Sequence, residues 1–184
     1  MYESYQTLTD RFEKVHMYCS ETFPDIVMGN FKRSQQPGET ENPEVFRHFG
    51  IGSGSGDFDV LILTKLAERL PRIEATITEP SGEMLANFKS AISESESDAL
   101  QKVKFTWNRA TIEDYMKTPQ GTKFHCIFLC GVLAYFKDVD QVLQYLYSIL
   151  ADNGTILIVT EAGNNSSIFY ELWYPGRFPS IDTE

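Results

Sequence analysis

From Val45 onward the apolar positions fall into short dense runs, VFRHFG, EATIT, VKFTW, HCIFLC and TILIVT, separated by stretches of helical period. Short runs of this kind predict strands, and the stretches between them predict helices. FDVLILTKLAERLP carries Phe58, Leu61, Leu63 and Leu66 near helical spacing and stops at Pro71, with Asp57 placed to cap the first turn. DVDQVLQYLYSILADNG places Val139, Val142, Leu143, Leu146 and Ile149 on one face, with Asn153-Gly154 as the helix stop. Strands alternating with helices predict an α/β fold built on a parallel sheet, against which both helices pack. In HCIFLC, Cys126, Phe128 and Cys130 point to one side and Ile127 and Leu129 to the other, as a strand covered on both faces requires.

One strand fits this pattern poorly. VFRHFG holds Arg47 and His48 where a central parallel strand should be apolar. Its position ahead of the glycines keeps it a strand, and His48 reads as a hydrogen-bonded core residue rather than a ligand or catalyst. Upstream, residues 1–33 read as a helical segment and the polar run from Ser34 to Glu44, SQQPGETENPE, as a loop. Residues 45–184 then form the core of a single domain, a reading that 184 residues at 42% hydrophobic content permits. No internal repeat is present, and SESESDAL reads as a solvated loop.

Charge narrows the partners. Sixteen Lys and Arg against 26 acidic residues give a formal net charge of −10, which opposes nucleic acid and favours a small cation. The start, MYESYQTLTDRFEKV, lacks the apolar run and cleavage site of a secretory signal, and no stretch reaches membrane-spanning length. Three cysteines, Cys19, Cys126 and Cys130, do not make a disulfide framework, so a cytoplasmic setting is expected. Cys126 and Cys130 have no further Cys/His cluster to complete a metal site, and no metal is expected.

The candidate chemistry starts at GIGSGSGDFD. Gly52, Gly54 and Gly56 follow a strand and open a helix, the place where a doubly wound sheet takes a nucleotide-like ligand. No frame gives the G-x-G-x-x-G of a dinucleotide site, since the sixth position from Gly50 is Ser55. Asp57 stands where a Walker loop needs Lys, and an acid there repels phosphate while suiting a positive ligand. S-adenosylmethionine, with a sulfonium, an ammonium and no phosphate, meets that requirement. The second strand ends at Glu79-Pro80, a carboxylate positioned either for ribose hydroxyls or for capping the helix SGEMLANFKSAI. Such an acid would serve NAD equally well. Thr111 and Ile112 fall at the exit of the third strand, where they could flank an adenine or form a plain structural loop.

The collinear series IGSGSGDFD, EPSGEMLANFK, VKFTWNRAT, YFKD and WYPGRFP resembles the histamine N-methyltransferase family of class I S-adenosylmethionine-dependent methyltransferases. The resemblance implies a Rossmann-like, mostly parallel sheet flanked by helices, with an N-terminal helical segment on the substrate side and the family's C-terminal strands absent. It leaves TILIVT as an unpaired sheet edge, to be covered by a missing segment or a partner. It implies that Gly52 contacts S-adenosylmethionine, that Glu79 holds the ribose, that Thr111 and Ile112 lie by the adenine, and that Cys130 presents backbone to the cofactor. Met84 and Gly131 stand where the family has glutamines, which alters one polar cofactor contact and one wall of the amine pocket. Tyr135 and Glu13 match residues that hold the imidazole amine. The implied reaction is in-line transfer of a methyl group to an amine nitrogen, which needs positioning residues and no obligatory general base. The rivals are a non-catalytic cofactor-binding fragment or regulatory paralogue and, less well matched by the glycine spacing, an NAD(P)-dependent oxidoreductase.

Overall fold

The computed structural model describes residues 13–34, 45–118, 121–162 and 167–173. Helix α1 covers residues 13–17 and runs through a π-helical turn, Tyr18–Thr22, into α2, Phe23–Ser34. Then follow β1 (Phe46–Ile51), α3 (Asp57–Ala67), β2 (Ile73–Thr78), α4 (Gly82–Ser93), β3 (Lys104–Asn108), α5 (Ile112–Tyr115), β4 (Phe124–Cys130), α6 (Val139–Ser148), β5 (Leu150–Ala162) and β6 (Ser167–Trp173). The six strands lie in the order β3-β2-β1-β4-β5-β6, and the first five are parallel. Chain order reverses between β1 and β4, so the crevice of this α/β sheet opens at their carboxyl ends.

Two cores cover the sheet. On one face Cys19, Phe23, Val27 and Phe31 of the N-terminal helices join Ile62, Leu63 and Leu66 of α3 and Phe88 of α4 over Cys126 and Phe128. On the other, Val142 and Leu146 of α6 pack with Ile112 and Tyr115 over Phe49, Ile127 and Leu129. The alternation expected of HCIFLC therefore holds. Buried Asn30 ties α2 to the sheet through its side-chain amide, which donates to the Thr155 hydroxyl at 2.9 Å.

Arg47 stays in the central strand because it sits at the amino-terminal end of β1, directly opposite Glu74 of β2, with 3.5 Å between guanidinium and carboxylate. His48 is fully buried and bonded to Asp59, the core role its position suggested.

Four local expectations are corrected. Gly56, with φ of 85°, is the N-cap of α3, and Asp57 is an exposed first-turn residue whose carboxylate accepts from the Ser55 hydroxyl instead of capping. Starting there, the inward face of α3 reads Asp59, Ile62, Leu63 and Leu66, while Phe58 and Leu61 are half-buried. Helix α6 ends at Ser148, and Asn153 and Gly154 lie inside β5, where the pairing slips between Phe124↔Leu150 and Cys126↔Thr155. Asn153 takes a positive φ of 56° there, so the pair makes a bulge rather than a helix stop. Finally, β5 is not an open edge, because β6 pairs with it antiparallel from Ile156↔Trp173 to Ala162↔Ser167. The loop expected over 34–44 lies outside the described residues beyond Ser34.

Candidate functional site

The glycine loop joins β1 to α3, and each glycine has its own reason. A Cβ on Gly56 would stand 2.2 Å from Cδ2 of buried Phe88, and on Gly52 2.5 Å from Cγ1 of Val132. Both residues also have positive φ, so sterics and backbone exclude a side chain there. Gly54 differs. Its φ is 57° and nothing lies within 4 Å of where its Cβ would be, leaving its backbone open to a ligand.

Beside this loop lies a hollow of about 230 Å³, walled by Ile51, Gly52 to Ser55, Phe58, Met84, Phe128 and Cys130, with Asp57 and Asp59 among its lining. Two larger depressions lie elsewhere, one around Leu70 and Val103 and one across Arg47, Glu74 and Lys104 on the sheet face, and neither touches the glycine loop.

Glu79 follows β2 and is buried. One carboxylate oxygen accepts from the Gly54 N–H at 2.9 Å and the other from the Ser81 N–H at 2.8 Å. Ser81 is itself the N-cap of α4, accepting from Met84 N–H, so the acid steadies the helix start and the glycine loop together. The capping reading of Glu79 is met only through its bond to the Ser81 N–H, Ser81 being the N-cap itself. A carboxylate oxygen can accept more than one hydrogen bond, which leaves capacity for hydroxyl donors.

Of the residues nominated from sequence, the structure gathers Gly52, Gly54, Met84 and Cys130 on the wall, with Gly56 at the end of the loop and Glu79 behind it. Thr111 caps α5 by accepting from Asp114 N–H at 3.2 Å, and the Ile112 side chain is buried in the second core. They stand just past β3, and only their backbone and the Thr111 side chain remain for a ligand. Tyr135, in the turn Leu133–Tyr135 after β4, is 82% exposed, and Glu13 is exposed on α1; neither lines the hollow.

Burial pushes the Cys130 thiol up to about 11 and the Cys19 thiol to about 12, and holds the Cys126 thiol well above its ordinary value. Neutral, poorly nucleophilic thiols line and underlie this site. Ser53, Phe58, Asp59 and Phe128 are wall residues that were not nominated. For Asp59 a signal existed: it occupies the first position of an i, i+3, i+4, i+7 series with Ile62, Leu63 and Leu66, a carboxylate where the helix faces the core.

A methyltransferase domain profile matches residues 49–156, from the strand bearing the glycine loop into β5. The chain belongs to this methyltransferase family. Its similarity to curated proteins points the same way: it is 33% identical over 141 residues to histamine N-methyltransferase B of Xenopus laevis, covering 72% of this chain and 47% of that one. With histamine N-methyltransferase of Bos taurus the identity is 30% over 140 residues, again 72% and 47%. With that of Cavia porcellus it is 25% over 181 residues, 93% and 61%. The methyltransferase chain thus spans about half the length of the curated relatives it matches. Among solved structures, the plantazolicin methyltransferase BamL in complex with a triazolic desmethylPZN analog and SAH superposes with a TM-score of 0.55 at 19% identity, covering 86% of this chain and 50% of that one. That likeness confirms the Rossmann-like methyltransferase fold.

Proposed function

We propose that this chain binds S-adenosylmethionine in the hollow beside its glycine loop and transfers the methyl group to a nitrogen of a small imidazole amine such as histamine. The observation that carries the cofactor reading is the pairing of an open, left-handed Gly54 with a buried carboxylate, Glu79, that holds the Gly54 N–H. A ligand reaching this loop meets bare backbone on one side and hydroxyl acceptors on the other. Gly52 and Gly54 would seat the nucleoside, Glu79 would accept from its ribose, Met84 and Cys130 would flank it, and Thr111 with the Ile112 backbone would lie toward the adenine.

The bound cofactor supplies an activated methyl group on a sulfonium. The chain's own work is positioning: it aligns the acceptor nitrogen, excludes water and needs no covalent partner. The half-buried Cys130 thiol on the wall, raised by burial, is consistent with that, because it offers no competing nucleophile. Histamine as acceptor is supported by the relatives named above, and exposed Tyr135 and Glu13 are the residues proposed to orient the amine.

Calorimetric titration with S-adenosylhomocysteine, followed by transfer of labelled methyl to histamine, tests both binding and transfer. Binding with transfer supports the enzyme, binding without transfer leaves the binding fragment, and no binding by folded protein removes the cofactor from this chain.

A further inference from the structure

Under the glycine loop lies a polar pair that the proposed cofactor contacts do not use. His48 is the third residue of β1, flanked by Ala75 of β2 and Cys126 of β4, and is fully buried. Its Nε2 stands 2.7 Å from Oδ1 of Asp59, the third residue of α3, itself 1% exposed. An ionised carboxylate only accepts, so Nε2 carries the hydrogen in this bond. The same Oδ1 would lie 2.4 Å from a Cβ on Gly50, so the acid is wedged against the strand that leads into the loop.

Among the described residues no lysine or arginine forms an ion pair with Asp59. Its ion-pair partner among the described residues is His48. The Asp59 charge, after burial itself, raises the Cys126 and Cys130 thiols, so two sulfurs lie within its electrostatic reach. A buried carboxylate is unfavourable unless hydrogen bonds and an opposite charge meet it. His48 meets part of that need. Asp59 is also among the residues that line the hollow, together with Phe128 and Cys130 of β4, although its side chain is only 2% exposed.

The two buried carboxylates also divide the loop between them. Glu79 holds Gly54 from the β2 side, whereas Asp59 lies against Gly50 and reaches the wall shared with β4. A ligand whose hydroxyls face Glu79 extends its other end toward Asp59. Resting on the cofactor reading above, we infer that Asp59 is the counter-charge for the ammonium of the cofactor's amino-acid end, and that His48 is the positioning residue that aims it. An ammonium is chosen over the sulfonium because it can donate hydrogen bonds to the carboxylate as well as oppose its charge.

The test uses two ligands, S-adenosylhomocysteine and its analogue with the amino group replaced by hydrogen, titrated calorimetrically into the whole chain. Wild-type protein should bind the amino ligand about 10- to 100-fold more tightly, and Asp59→Asn should lose most of that preference while binding the deaminated ligand as before. His48→Gln, which keeps an N–H donor, should retain more of the preference than His48→Leu. Equal weakening of both ligands by Asp59→Asn, or an unchanged preference, overturns the assignment. If Asp59→Asn does not fold, the preference measured in His48→Leu against wild type decides: an unchanged ratio overturns the pair's role. Should folded wild type bind neither ligand, the cofactor reading itself falls and takes this assignment with it. Binding of both ligands with no preference leaves the cofactor reading standing and sinks the inference alone.

Discussion

Replacing Gly56 by alanine tests the distinction between glycines that serve packing and the one that serves a ligand. The new Cβ would sit 2.2 Å from Cδ2, 2.3 Å from Cγ and 2.5 Å from Cε2 of Phe88. Ordinary carbon contacts lie near 3.5–4.0 Å, so the ring must retreat by over about 1 Å. It has no room, because Phe88 is fully buried and meets Trp107 edge-on with ring centroids 5.1 Å apart. Overpacking of this kind costs about 1–3 kcal/mol, and a left-handed alanine adds roughly 1–2 kcal/mol. The stiffer unfolded chain returns about 0.4–1 kcal/mol, leaving a net loss of roughly 2–4 kcal/mol. With a urea dependence of about 2 kcal/mol per molar, the unfolding midpoint should fall by roughly 1–2 M. Gly54→Ala shares the left-handed cost but meets no atom within 4 Å, so its loss should stay near 1 kcal/mol or below. Titration with S-adenosylhomocysteine should reverse the order, because a methyl on Gly54 enters the space proposed for the ligand. A Gly56→Ala midpoint within about 0.5 M of wild type, or a Gly54→Ala loss as large as that of Gly56→Ala, would refute the steric argument.

Three further expectations follow from the same geometry. Glu79→Ala should weaken S-adenosylhomocysteine binding by about 1–3 kcal/mol, and Glu79→Gln, which keeps one acceptor, by less; equal affinity in folded Glu79→Ala would detach this residue from the ligand. The buried thiols ionise less readily folded than unfolded, so above pH 9 the unfolded chain gives up protons that the native one keeps, and stability should fall as pH rises from 9 toward 11–12. Urea midpoints at pH 8, 9 and 10 check this, with a shallower decline expected in Cys19→Ala; parallel curves would remove Cys19 from the effect. Tyr135→Ala should leave the melting temperature unchanged, as an 82% exposed ring demands, while raising KM for histamine without changing cofactor affinity. An unaltered KM would take Tyr135 out of the amine site.

Strand runs and the glycine-bearing turn were readable because they depend on local rules: period, the absence of side chains and the position of Glu79 after the second strand. HCIFLC shows this well, since alternation alone assigned its residues to two cores. Phase was harder. The helix after the glycines looked as though it began at an Asp57 cap, but the left-handed Gly56 takes that place and turns Asp59, rather than Phe58, inward. Asn153-Gly154 resembled a helix stop because its residue types suit either role; pairing with β4 makes it a bulge. The edge of β5 is covered by Ser167–Trp173, a pairing that nothing within β5 itself specifies.

What the order of residues determined by itself is the alternation of strand and helix, the bare backbone at Gly54 and an acid at the end of β2, since each follows from constraints acting within a few residues. What only the folded arrangement decided is which partners the buried acids take. His48 and Asp59 are separated by the glycine loop, and Glu79 is 25 residues from Gly54; each pair forms when β1 lies between β2 and β4. The physical reason is burial: a carboxylate acquires a partner, and a need for a counter-charge, once packing has taken water away from it.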